Sequence, residues 1–107
     1  MPRILGVNVS EYEYRKYAKA VRKRKRLFEA YVERRKKCRR IKDWYKRRLC
    51  YDKAKRTYYP KLKSAINEEI TELRSVMAKA ADISVRMAIA LKLERLKKMF
   101  LLFSALT

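Results

Sequence analysis

The chain has a single glycine, Gly6, and two prolines, Pro2 and Pro60, in 107 residues. Turn-rich all-β folds need many such residues, so their scarcity leaves long helices as the available architecture. The length suits one small domain and is too short for two. The first helix carries a full start signal. Ser10 as N-cap with Glu13 three residues on forms a capping box, and Val9 and Tyr14 suit a hydrophobic staple. No glycine or proline follows until "TYYP", Thr57 to Pro60, where the residue before proline is pushed out of the α region. The sequence therefore predicts one helix from Ser10 to about Tyr59, ~75 Å long at ~1.5 Å per residue. Residues 1–9 read as a short extended arm, and Pro60 to about Ser104 as a second helical region.

The second region is amphipathic. Leu62, Ile66, Ile70, Leu73, Met77, Ala80, Met87 and Leu91 recur at steps of three and four, and Val76, Ile83 and Ala90 widen the stripe. The small residues of "AKAADIS", Ala78 to Ser84, leave open whether this is one helix or two with a break near Asp82. Together with "MFLLFSAL", Met99 to Leu106, the apolar surface exceeds what the first helix can cover. Surplus of that kind marks a protein interface. The expected fold is all-α, a long helical hairpin completed into a bundle by oligomerisation. Leu73, Met77, Met87, Leu91, Phe100 and Phe103 are the candidate subunit contacts.

Charge divides the chain sharply. Thirty-one basic residues face 11 acidic ones, for a net charge of +20. Self-repulsion of that size calls for a polyanion, of which nucleic acid is the commonest and an acidic membrane surface the weaker option. Residues 10–59 hold 21 bases and 6 acids, whereas 60–107 hold 9 and 5. The densest stretch is "ERRKKCRRIKDWYKRR", Glu33 to Arg48, in which ten of sixteen residues are Lys or Arg. Same-sign neighbours such as Lys36/Arg40 repel along a helix. The candidate phosphate ligands are Arg15, Lys19, Arg22, Lys23, Lys25, Arg26, Arg34, Lys36, Lys37, Arg39, Arg40, Lys46, Arg47 and Arg48.

A narrow dry seam of period 3.5 runs through the same segment. Tyr14, Tyr17, Val21, Phe28, Tyr31, Cys38, Tyr45 and Leu49 occupy eight of twelve a and d positions, with Arg24 and Arg35 among the exceptions. Trp44 lies off the seam among the bases. It reads as a contact to a neighbouring helix or subunit, with stacking on a nucleobase as the sharper alternative. Fifteen net charges over ~75 Å is about one per 5 Å, against one per ~1.7 Å on duplex DNA. Such a helix neutralises about a third of the duplex it lies along, which implies many copies. Without Asn or Gln on the basic face the usual adenine readers are missing, so binding is expected to be largely independent of sequence.

Catalysis finds little foothold. The chain has no His to serve as a general base, and its one glycine excludes a Gly-rich phosphate loop. Glu68, Glu69 and Glu72 cluster in "NEEITE", which suits a helix N-terminus better than a metal site. Cys38 and Cys50 on one helix would stand ~18 Å apart, too far for a disulfide. Lacking His partners for zinc, they read as two small apolar residues. The expectation is a non-enzymatic protein with no small-molecule substrate, requiring neither cofactor nor metal. The N-terminus shows no signal-peptide pattern and "MFLLF", Met99 to Phe103, is too short to span a bilayer. The protein is expected in the cytoplasm or nucleoid, or packaged inside a virion. The absence of Gln and the presence of only two Asn follow the hyperthermophile bias.

The basic helical segment at 1–59, the apolar helical half at 60–107 and the amide- and His-poor composition resemble the DNA-coating capsid proteins of filamentous or helical-nucleocapsid viruses of hyperthermophilic archaea. The resemblance implies helical subunits that pair, often as two related proteins, and wrap double-stranded DNA in A-form inside a helical shell. By it, Arg22 to Arg26 and Arg34 to Arg48 would line the DNA. A ribosomal or other RNA-bound structural protein is the rival, since "RILGVN", Arg3 to Asn8, is similar to the start of one small-subunit protein. A cellular chromatin-like architectural protein is the third reading.

Overall fold

The computed structural model describes residues 1–104. The fold is all-α: helix α1 spans Glu11–Arg39, α2 Trp44–Lys79 and α3 Ile83–Ser104. Two strands of two residues each, β1 (Arg3–Ile4) and β2 (Val7–Asn8), precede them.

Helix α1 begins with the expected capping box. The Ser10 hydroxyl accepts from the Glu13 backbone N–H at 3.1 Å, and the Glu13 carboxylate accepts from the Ser10 backbone N–H at 3.5 Å. Its end differs from expectation. Instead of running on to Tyr59, α1 stops at Arg39, and the chain turns through residues 40–43. Neither glycine nor proline makes this corner. The Arg40 and Ile41 N–H groups fold back onto the carbonyls of Lys37 and Cys38, tightening the last turn. Asp43 then starts α2 afresh, its carboxylate accepting from the N–H groups of Tyr45 and Lys46 at 2.9 and 3.2 Å.

Pro60, the expected terminator, lies inside α2. A mid-helix proline costs about 3 kcal/mol. Burial on both sides of it offsets that cost, since Ala54, Leu62, Ala65 and Ile66 form one continuous core-facing row. The carbonyl that proline leaves without a partner, on Arg56, belongs to an exposed residue and can bind water.

Cross-helix partners show how the helices run. Glu13 meets Lys79, Arg24 meets Glu69, Tyr31 meets Tyr59 and Cys38 meets Cys50, so α1 and α2 are antiparallel. The second break falls near Asp82, where the sequence leaves it open. Ala80 ends α2, and the Asp82 carboxylate accepts from the Ser84 N–H and hydroxyl at 2.8 and 2.6 Å to begin α3. Helix α3 then returns along α2 as far as Tyr59, whose ring meets Phe103 at 4.9 Å. Both outer helices pack chiefly on α2. The molecule measures 56 × 22 × 19 Å, and its long dimension is that of α2, ~54 Å at ~1.5 Å per residue.

The expected extended arm is instead a small hairpin. Leu5 and Gly6 both have positive φ, 48° and 86°, which is the twist a two-residue hairpin turn requires. Ile4, Val7 and Val9 are buried in the core, and the hairpin sits against the corner between α2 and α3. Alternation of apolar residues drives this, because it gives the segment a dry face that a free arm would expose to water.

Candidate nucleic-acid interface

The corner at residues 40–43 changes the shape of the basic segment. Beyond Tyr59, among the described residues, α1 and α2 continue without α3 and form a two-helix tip. From Glu33 to Arg56 this tip holds 13 bases and 3 acids, a net +10. Half of the whole charge stands at one end of a rod.

Three features hold the tip together. Cys38 and Cys50 form a disulfide with their Cα atoms 5.5 Å apart, and Cys38 is fully buried. This corrects the expectation of two unlinked apolar cysteines, which assumed a single helix; across an antiparallel pair the two positions are opposite each other. The Arg35 guanidinium lies over the rings of Tyr31 and Tyr51, 5.8 and 5.5 Å from their centroids, joining α1 to α2 by cation–π contact. Tyr31 is buried with its hydroxyl 3.5 Å from that of Tyr59. Burial, helped by that neighbour, pushes its pKa up to about 12.

Eight of the candidate phosphate ligands lie on the tip: Arg34, Lys36, Lys37, Arg39, Arg40, Lys46, Arg47 and Arg48. All but Arg47 are exposed. Lys36 pairs with Glu33 at 3.2 Å, and the half-buried Arg47 donates to the Ile41 carbonyl at 3.5 Å. Lys42, Lys53 and Arg56 join the same end from outside the candidate set; they become visible as part of it only once the chain is folded back at Asp43. The other six candidates, Arg15, Lys19, Arg22, Lys23, Lys25 and Arg26, lie along the body of α1, away from the tip. Two of them are engaged within the chain, Arg15 with Glu11 at 3.4 Å and Lys23 with Glu68 at 3.2 Å.

The acidic cluster has a structural role. Glu68, Glu69 and Glu72 lie in the middle of α2, not at a helix start, and each takes one base of α1: Lys23, Arg24 and Lys16 respectively. Arg24 Nε reaches the fully buried Glu69 at 2.6 Å. The Lys16 pKa is raised by its hydrogen bond to Glu72, and that of Glu13 is lowered by its bond to Lys79. The carboxylates therefore spread along the α1–α2 seam and do not converge on one point.

The expected subunit contacts divide as well. Leu73 and Phe103 are buried in the core of this chain, and Met77 and Phe100 pack against it half-buried. Only Met87 and Leu91 face outward, 63% and 59% exposed, with Ile83, Leu101 and Leu102 also exposed on α3. The apolar stripe is present as expected, but α3 folds back to cover most of it. Ala105 and Leu106, at the end of the apolar run, lie outside the described residues.

A duplex groove tests what the tip can reach. Each helix with its side chains is ~10–12 Å across, and the major groove is ~12 Å wide, so the joined pair is too broad to enter it. A pair of this width could meet only the backbone of a duplex. No helix of the described residues is long and apolar enough to cross a membrane. Comparison with protein-family models, curated proteins and solved structures gives no match.

Proposed function

We propose that the chain is a structural, largely sequence-independent nucleic-acid-binding protein that packages double-stranded DNA in many copies, as a capsid or nucleocapsid subunit does. The observation that carries this reading is the tip, with its net +10 and a single ion pair among the described residues. Among the described residues the body pairs five of its eight acids with bases; the tip has too few acids to answer its bases, and phosphate supplies the missing charge.

Magnitudes favour contact along the length of the tip. The projecting part of α2, residues 44–58, is ~22 Å long, and that length of duplex carries about 13 phosphates. One tip thus nearly matches the charge in front of it, where an extended helix would have met a third. Assembly is supported by the outward row on α3, Ile83, Met87 and Leu91, which leaves apolar surface for another subunit. The disulfide supports a virion or a hyperthermophilic cell, two settings in which such bonds persist.

Electron microscopy of the protein mixed with duplex DNA tests the reading. Uniform helical filaments are expected. Discrete bent complexes would assign an architectural role instead, and firm binding of ribosomal RNA without duplex binding would assign the ribosomal one. In parallel, affinity for a 30-base-pair duplex should fall by roughly 10³–10⁵ between 50 and 200 mM salt if 6–10 phosphates are held.

A further inference from the structure

Trp44 is the first residue of α2, at the far end of the rod, and it is the only tryptophan in the chain. Its indole is 64% exposed and the neighbouring Tyr45 ring is 60% exposed. The two rings meet edge to face, with centroids 6.2 Å apart and planes 83° from parallel. The aromatic residues Tyr31, Tyr59 and Phe103, by contrast, are gathered into the core cluster. Around Trp44 the chain supplies Arg40, Lys42, Lys46, Arg47 and Arg48, while the one nearby acid, Asp43, is occupied by backbone N–H groups of its own helix. A large flat apolar surface is thus presented to solvent in the stretch of chain richest in bases.

We infer that Trp44 is a base-stacking residue: its ring takes an unpaired nucleobase while the surrounding cations hold the phosphates on either side. The inference rests on the nucleic-acid reading above and adds base contact to it. One base stacked on one ring is worth roughly 5- to 150-fold in affinity, and opening a stacked duplex step costs a comparable amount or more. Tyr45 stands nearly at right angles, so it cannot extend the same stack and add a second base to the gain. A single ring therefore acts where bases are already unpaired, in single strands, at ends or at gaps. An acidic lipid surface also attracts tryptophan beside cations. It is the poorer fit, because Trp44, Tyr45 and Leu49 form a patch of only three exposed apolar residues on a tip with 13 bases, short of the long apolar face an interfacial helix buries.

Indole emission of the full-length protein reports on Trp44 alone, which makes the test direct. At low salt the protein is titrated with a thymidine 30-mer, a blunt 30-base-pair duplex, inorganic polyphosphate and phosphatidylserine-containing vesicles, with binding followed separately by sedimentation. Deep quenching is expected with the single strand, and little with duplex or polyphosphate even where both bind. Trp44→Ala should weaken the labelled 30-mer about tenfold and leave duplex affinity unchanged, and Trp44→Phe should recover most of the loss. Equal quenching by polyphosphate or blunt duplex would overturn the inference. So would an emission shift on vesicles without quenching by the 30-mer, or unchanged 30-mer affinity in Trp44→Ala. Nucleic-acid binding with no change in emission removes the stacking role alone; failure to bind any nucleic acid removes the parent proposal too.

Discussion

The tip and the body of this molecule carry the same net charge and handle it in opposite ways. The tip, Glu33 to Arg56, holds +10, and the far longer remainder of the chain holds the other +10. In the body, eight acids stand among eighteen bases, and among the described residues five ion pairs form, four of them joining α1 to α2. There charge serves cohesion. In the tip one local pair forms, between Lys36 and Glu33, and a covalent bond replaces ionic cohesion. The two regions are alike in net charge and differ in the fraction of it already answered within the chain.

The sharpest way to break this contrast is to remove one base from each region. Arg24→Met leaves the buried Glu69 carboxylate without its partner and should cost about 3–5 kcal/mol of unfolding free energy. Arg39→Met on the exposed tip should change stability by no more than about 0.5 kcal/mol. Urea titration of both variants settles it: similar losses would mean that the two regions do not differ. Next in size is the disulfide. Reduction, or Cys38→Ser with Cys50→Ser, should lower stability by ~3 kcal/mol for a closed loop of this length, with the largest drop in protection from hydrogen exchange in the tip.

Third, replacing Arg34, Lys36, Arg39 and Arg40 with Gln should reduce the slope of log K against log salt by about 3–4 on duplex DNA, near 0.9 per phosphate released. The same treatment of Lys92, Lys97 and Lys98 on α3 should leave the slope nearly unchanged. Equal effects from both sets would place the binding surface elsewhere. The smallest effect concerns Glu13, whose pKa is lowered by Lys79 and by the Ser10 cap. A lowered folded-state pKa gives stability that is present above the ordinary glutamate range and lost as pH falls through the folded value. Acid unfolding curves should therefore flatten slightly on that side in Glu13→Gln, and a steeper curve would contradict the pairing.

Local chemical signals proved reliable at some positions and misleading at others. The Ser10–Glu13 capping box was legible, because a cap is chemistry between residues two or three apart, whereas the break near Asp82 stayed open in the sequence. The all-α class followed from the scarcity of chain breakers. The corner at Arg40–Asp43 was not legible from breakers, since none is there; Asp43 as an N-cap and the Cys38–Cys50 spacing were the available signs. Pro60 misled for the opposite reason, a strong local breaker overruled by core burial on both sides. For Leu73 and Phe103 the pattern specified an apolar face. Whether this chain or another would cover it depends on how far α3 folds back, which periodicity does not encode. Eight of the candidate phosphate ligands share the tip because they are adjacent in sequence around the corner; their convergence from two helices was invisible while the segment read as one rod.

The N-terminal hairpin has a consequence for how the chain folds. Successive helices pack on their sequence neighbours, a topology of local contacts that forms quickly. The hairpin is the exception, because Gly6 comes to rest beside Val85, at the start of the last helix. Closing so long a loop gains nothing until both ends are structured. The hairpin should be the last part to lock and the first to open. Its burial of Ile4, Val7 and Val9 is then a latch that registers when the three helices have found their places.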